Sequence, residues 1–538
     1  MLTYILITLS AFFMSVVSGF IMIPQILRFC EKRKLYDTPN ARKLHKNNIP
    51  RLGGVSFMPS MFIATITAYF VLLFLVSYIS GRKADNAGFF VGNRKSPWYI
   101  VAIATIGAPI SGVTFVSGPG MVQEKGFSYM QMVLGFFVGQ LIIAFILVPL
   151  FYRMNLVSVY QYLEDRFGLR SYKTGAWFFF ISKMLGAAVR LFLVCLTLQL
   201  LVFDPLGLPF LLNVILAVAM VWLYTFRGGV KSIVWTDVLK TVCLILSVVL
   251  SILFISKEMN LSLGQMVQNI SDSDMSRIFF FDDVNDKRYF FKQFLAGIFT
   301  LIATTGLDQD MMQRNLSCRN SRESQKNMIS SIIAQTVVIF LFLMLGVQLY
   351  AFAGSAGIAE TGDKLFPAVA TSHYLPAVVG VLFIVGLFAS AYSAAGSALT
   401  ALTTSFTIDI LGADKKGHDD NKIASIRKRV HVGMAVLLAV VIYVFGLLNN
   451  SSVIDAVYIL ASYTYGPILG LFTFGIIMKW KVRDRFVPLA AIAAPVLCYI
   501  LQTNSEQWFN GYKFSYELLI FNAAFTFIGL MLLRKSSR

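Results

Sequence analysis

Apolar runs of membrane-crossing length follow one another from end to end of this 538-residue chain, and no other feature restricts its fold as much. A bilayer core offers the backbone no hydrogen-bond partner, so a crossing segment must close its own bonds as a helix of about 20 apolar residues or join a closed barrel. The runs here are continuous and lack the alternation of barrel strands. Spanning helices are predicted at about 2–27, 58–79, 98–121, 129–152, 174–202, 207–226, 233–256, 291–312, 327–352, 377–410, 430–449, 452–478, 486–503 and 514–533. Hydrophobic residues make up 57% of the chain and charged ones 14%, and the mean hydropathy is +0.71, so no polar stretch is long enough for a second soluble domain.

The net charge of +19 would suit a nucleic-acid partner, but Lys and Arg sit in short clusters between apolar runs, where positive charge marks the cytoplasmic side. Arg82, Lys83, Arg94 and Lys95 begin one face, and Arg153, Arg166, Arg170 and Lys173 continue it. Arg227 and Lys231, then Arg314, Arg319, Arg322 and Lys326, then Lys415 through Arg429 and Lys479 through Arg485 follow. Arg534, Lys535 and Arg538 put the C-terminus on that same face, which predicts a multi-pass protein of the plasma membrane, the inner membrane of a bacterium, with no nucleic-acid partner. Loop 257–290 carries Asp272, Asp274, Asp282, Asp283 and Asp286 and reads as exterior. Loop 28–57 breaks the pattern: Arg28, Lys32, Arg33, Lys34, Arg42, Lys43, Lys46 and Arg51 ask for the cytoplasm where the alternation puts the outside.

Cys30, Cys195, Cys243, Cys318 and Cys498 lie mostly in apolar segments without metal-binding spacing, and His45, His373, His418 and His431 are as dispersed. Neither set suggests a disulfide framework, a zinc site or a hydrolase. Segment 98–121 holds Gly107, Pro109, Gly112, Gly118, Pro119 and Gly120, too many breakers for a continuous helix. Interrupted backbone at membrane depth is tolerated where it lines a cavity, and freed carbonyls can hold a cation there. Arg190 is the clearest ionised side chain deep in a predicted span; it reads as a ligand for an anionic substrate, as the partner of a buried carboxylate, or as a snorkelling side chain.

Asp37, Pro39, Arg42, Lys43, His45, Pro50, Gly53 and Gly54 form a pattern that resembles the first cytoplasmic loop of polyprenyl-phosphate N-acetylhexosamine-1-phosphate transferases. Such enzymes need later cytoplasmic aspartates to hold a metal and a nucleotide sugar. The pairs Asp282 with Asp283 and Asp419 with Asp420 fall in loops of the other reading, so residues 1–57 are expected to be a non-catalytic fragment ahead of a domain at 58–538, and no enzyme is expected.

From about residue 58 onward the chain resembles the sodium:solute symporter family. The resemblance rests on the order and spacing of 85–120, "YLEDRFG" (162–168), "FRGGVKSIVWTDVLKT" (226–241), "GLDQDMMQRNLSCRNSRES" (306–324) and 386–411. It implies an all-α membrane protein with a LeuT-like five-plus-five inverted repeat, at 98–256 and 291–478, and about thirteen transmembrane helices plus one extra N-terminal apolar segment. It also implies a secondary transporter that couples sodium entry to uptake of a small polar solute, a sugar, sialic acid, carboxylate or amino acid, with Na+ as coupling ion and no organic cofactor. A proton on the same fold is the alternative. Carried over residue by residue, the family's sodium site maps onto Gly107, Ile110, Ser390 and Ser393, with Asp237 near the ion path, where the residues alone equally give a helix cap after Thr236. Ala394 departs from the second hydroxyl expected after Ser393. The solute is expected near Ser111, Thr114, Phe115, Asp308, Gln309 and Arg190, with Thr300, Thr304, Thr305 and Gly306 at the matching break of the second repeat.

Overall fold

The computed structural model describes residues 36–37, 49–50, 57–81, 89, 96–107, 110, 112–156, 158–199, 203–204, 207–226, 229–370, 372, 375–413, 419–448, 453–512, 514 and 516–535. The predicted span at 2–27, Ser111 and His373 lie outside them. Of the opening basic stretch, Tyr36–Asp37 pairs antiparallel with Ile49–Pro50, Tyr36 opposite Pro50.

Helices account for nearly all the rest. A first helix, α1 (Phe57–Gly81), is followed by a pair separated by a short break, α2 (Trp98–Gly107) and α3 (Gly112–Gly120). Next come α4 (Val122–Arg153), α5 (Leu169–Leu198), α6 (Phe210–Thr225) and α7 (Gly229–Glu258). The second half repeats the plan. Helix α9 (Phe290–Leu301) widens into a π turn at Ile302–Gly306 and bends by 72° into α10 (Gln309–Asn315), after the exterior helix α8 (Leu263–Ser271). Then follow α11 (Ser321–Ala356), the short α12 (Leu365–Ala370), α13 (Ala377–Ser405), α14 (Asp420–Leu448) and α15 (Val453–Ile477), with α16 (Val487–Trp508) and α17 (Leu518–Leu532) outside the repeat. Among the described residues, eight helices are long and apolar enough to cross a membrane, nine if the bent pair is one span.

Local chemistry sets the ends. The Asn320 side chain accepts the Glu323 amide at 2.9 Å to start α11, and Gly357, at φ 69°, ends it in the left-handed region. Ser262 and Gln265 form a reciprocal capping box on α8, whose Met266 and Ile270 are buried. At the basic face, Asp484 accepts the Arg170 and Ser171 amides at 2.9 and 2.8 Å and so caps α5 from 314 residues away. In the exterior loop, Arg277 pairs with Asp282, and the Arg288 guanidinium, hydrogen-bonded to Asp286, holds that carboxyl below the usual carboxylate range. Helix α14 begins at Asp420, so much of the stretch up to Arg429 that reads as loop is its first turns; Arg427 lies 4.3 Å over the Phe89 ring. The four described cysteines, Cys195, Cys243, Cys318 and Cys498, are free thiols.

The two halves clasp one another symmetrically. Helix α4, second in the first half, packs on α9, the broken helix of the second, and α11 packs in the same way on α3. Both contacts are backbone to backbone. A β-carbon on Gly135 would lie 2.2 Å from the Phe294 carbonyl oxygen, one on Gly297 2.2 Å from that of Met132, and one on Gly346 2.6 Å from that of Pro119. Lipid tails are as apolar as Leu, so helices in a bilayer associate through close packing, and glycine permits the closest. Gly135→Leu or Gly297→Leu should therefore lower stability by about 1–3 kcal/mol or more, read as a fall in the thermal midpoint of the detergent-purified protein. Gly264→Ala, where the added carbon meets nothing within 4 Å, should not lower it.

Candidate ion and solute site

Both helix breaks open on one cavity of about 130 Å³. Ile110 and Thr114 reach it from the α2–α3 break, and Thr300, Thr304, Thr305 and Asp308 from the α9–α10 break. Helix α5 adds Lys183 and Arg190, seven residues apart and so on one face, and Tyr465 of α15 lies opposite. Asp308 caps α10 by accepting the Met311 amide at 3.1 Å.

From this cavity a line of buried charge runs into the bundle. Tyr465 donates to Asp308 Oδ2, and Lys183 Nζ stands 3.2 Å from both Asp308 oxygens and 2.7 Å from Asp310 Oδ2. Asp310 Oδ1 is 3.1 Å from an Arg314 Nη, one turn further along α10, and Ser397 of α13 bonds both partners. Arg314 Nε then reaches Asp237 Oδ2 of α7 at 3.0 Å, and Ser393 of α13 donates to the other Asp237 oxygen. Asp237 and Ser390 are 0% exposed, Asp308 1% and Arg314 3%, which makes the pairing obligatory: an isolated charge at this depth would cost many kcal/mol. The Arg314–Asp237 approach lacks hydrogen-bond alignment, so Asp237 Oδ2 has no hydrogen-bond partner among the described residues. Lys240, one turn beyond Asp237, is fully buried, and its Nζ also has no partner among the described residues.

Of the expected sodium residues, Asp237 and Ser393 lie at this inner end. Asp237 and Ser393 touch; Gly107 abuts Thr241, whose Oγ1 is 2.9 Å from the Ile103 carbonyl oxygen and 2.8 Å from that of Asp237. Ser390, on the same face of α13 as Ser393, donates to Leu387 O at 2.8 Å, which leaves its lone pairs available. Ile110 belongs to the cavity wall. Of the expected solute residues, Thr114, Asp308 and Arg190 line the cavity, and the Arg190 Nε has no hydrogen-bond partner among the described residues. Phe115 does not: it is buried among Phe342, Phe366 and Phe383. Nor does Gln309, whose Oε1 accepts the Val159 amide at 2.8 Å.

Arg314 is a correction to the charge reading. Assigned from sequence to a cytoplasmic loop, it sits inside the bundle, because the chain turns into α10 at a break and carries the residue inward. Lys183, Lys240 and Asp310 were not singled out either, although each falls within a predicted span, where any ionised residue signals a partner or a path.

Two broken helices that open on one cavity lined by charged side chains fit a cation-coupled secondary transporter. The sequence profile described as the Sodium:solute symporter family matches residues 89–484, and the chain belongs to that family; it couples sodium to solute symport. It is similar to the sodium/sialic acid symporter NanT of Aliivibrio fischeri, 26% identical over 479 residues, 85% of this chain and 90% of that one. It is also similar to the sodium-coupled monocarboxylate transporter 2 of Bos taurus, 24% identical, covering 77% of this chain and 69% of that one. In three dimensions it overlays a Na+-coupled sialic acid symporter solved in a substrate-bound outward-open state, with a TM-score of 0.75 at 17% identity, over 88% of this chain and 99% of the other.

Arg314 is the only described cation bridging Asp237 and Asp310. Arg314→Met should leave two buried carboxylates under-compensated and destabilise the protein by about 3–5 kcal/mol. Lys240→Gln, at an ammonium with no hydrogen-bond partner, should lower the thermal midpoint in detergent much less.

Proposed function

We propose that the chain drives uptake of a small carboxylate anion with the inward flow of sodium. The observation that carries this is the cavity's charge: Lys183 and Arg190 face it with Asp308 as the single carboxylate among the described residues, and the Arg190 Nε–H has no hydrogen-bond partner among them. A carboxylate is the group whose geometry a guanidinium matches with two parallel hydrogen bonds. The similar proteins named above are called sialic acid and monocarboxylate transporters, and both of those solutes carry that group. Sodium is assigned to the carbonyls of Gly107 and Ile110 with Ser390, Ser393 and Asp237, a set of hard oxygens that suits it; the unfilled Asp237 Oδ2 supports this, and Ala394 leaves the set one hydroxyl short.

The eight long helices, the bent pair and four shorter apolar helices make about thirteen spans, with the basic loops and the C-terminus placed in the cytoplasm of a bacterial cell and the acidic loop 257–290 outside. Residues 1–57 are a non-catalytic addition to the transporter at 58–538, with its core repeats at 98–256 and 291–478.

Uptake into proteoliposomes under a sodium gradient, from a panel of labelled carboxylates, sialic acids, sugars and amino acids, tests the reading. Carboxylates should enter, with Arg190→Met raising their half-saturation about tenfold or more. Ser393→Ala should weaken apparent sodium affinity more than solute affinity at saturating sodium. Equal uptake of neutral sugars would sink the anion assignment, and uptake driven by acid pH without sodium would move the coupling to protons. Deletion of residues 1–57 should leave uptake intact; loss of folded, solute-binding protein would make that segment a working part of the transporter.

A further inference from the structure

In this chain of charge three buried carboxylates, Asp237, Asp308 and Asp310, face three buried cations, Lys183, Lys240 and Arg314, and Arg190 at the cavity wall is one cation in excess. A sodium ion added beside Asp237 therefore puts a surplus charge into a low-dielectric interior, where it is costly unless a neighbouring pair rearranges or an anion follows. The pair best placed to rearrange is Arg314 with Asp237, since it is an ion pair without hydrogen-bond alignment. Arg314 already holds a second carboxylate, Asp310, one turn back on the same short helix. Asp310 is in turn shared: its other oxygen belongs to Lys183 at 2.7 Å, and Lys183 borders the solute cavity.

We propose that Arg314, Asp310 and Lys183 form the coupling relay of this transporter. Sodium entering beside Asp237 displaces Arg314 fully onto Asp310, and Lys183, released from Asp310 and held then by Asp308 alone, becomes a ligand of the solute anion. The inference rests on the carboxylate reading of the solute made above. Charge is conserved at each step: the surplus that sodium brings is passed along the chain to the cavity and cancelled there by the carboxylate. Sodium then creates the anion site instead of merely accompanying the anion, and reciprocity requires that the anion tighten sodium by the same factor. Lys183 acts on the ion end only through Asp310, so it is a positioning residue for sodium and a ligand for the solute.

The relay makes opposed predictions for two residues in contact. Lys183→Met leaves Asp310 wholly available to Arg314, which lets go of Asp237 more readily, so sodium should bind about tenfold tighter. Asp310→Asn removes the carboxylate to which Arg314 would move, so sodium should bind about tenfold more weakly. Sodium half-saturation of the thermal shift of purified full-length protein, with potassium as control, reads both without any solute. Lys183→Gln and Asp310→Ser, which keep a hydrogen-bonding group, carry the same two signs if either first variant fails to fold. Lys183→Arg and Asp310→Glu, which keep the charge, should shift sodium binding less than Lys183→Met and Asp310→Asn do. A merely structural role would weaken sodium binding in both positions, and shifts of one sign or none overturn the relay. With lactate as probe, sodium should tighten binding to the unmutated protein and to Lys183→Arg but not to Asp310→Asn. Opposite sodium shifts with no binding or uptake of any carboxylate would overturn Lys183 as solute ligand and the anion reading, and leave the ionic half of the relay standing.

Discussion

Charge held where water cannot reach it is the constraint around which this protein is built. Asp237, Asp310 and Arg314 come from two helices and are each almost wholly buried, so none is affordable without the others. Satisfying them fixes where α10 must lie against α7 and α13, and therefore where α9 must stop. The π turn at Ile302–Gly306 and the 72° bend bring α10 to that position, and both border the cavity. The same short helix carries an acidic cap at its start, Asp308, and the guanidinium near its end, so one seven-residue element touches both the solute cavity and the ion end.

Much of this was legible in the sequence, and the rest was hidden for definable reasons. Helix positions followed from apolar runs because a bilayer makes length and apolarity nearly sufficient, and the first break was visible in Gly107, Pro109 and Gly112. Asp237 and Ser393, which the resemblance implies lie near one ion, are joined by a hydrogen bond. The resemblance implies that Phe115 and Gln309 lie at the solute along with their sequence neighbours Thr114 and Asp308. Successive residues on a helix point about 100° apart, however, and a neighbour of a cavity residue commonly faces the packed side. Arg314 was hidden differently: a charge just past an apolar run reads as a loop residue, and only the bend at Gly306 carries it back inside. Lys183 obeys the rule that drew attention to Arg190, seven positions away on the same face of α5, and Lys240 follows Asp237 by one turn.

The end of α5 at the basic face shows how the scaffold holds its side of the cavity still. Asp484, from the loop after α15, accepts two amides at the start of α5, and Arg166 donates to the Gly475 carbonyl oxygen at 3.1 Å near the end of α15. Each helix terminus is thus satisfied by the chain next to the other. The helix that presents Lys183 and Arg190 is thereby tied to the helix that presents Tyr465.

The glycine contacts have a mechanical consequence of their own. Side chains that interdigitate lock two helices into one register, because a shift by part of a turn drives ridges over ridges. Gly135 and Gly297 on one side of the molecule, and Gly346 against Pro119 on the other, replace those ridges with bare backbone. At these points the halves are held at the closest separation helices allow, and larger side chains such as Phe115 and Phe342 interlock beside the bare backbone.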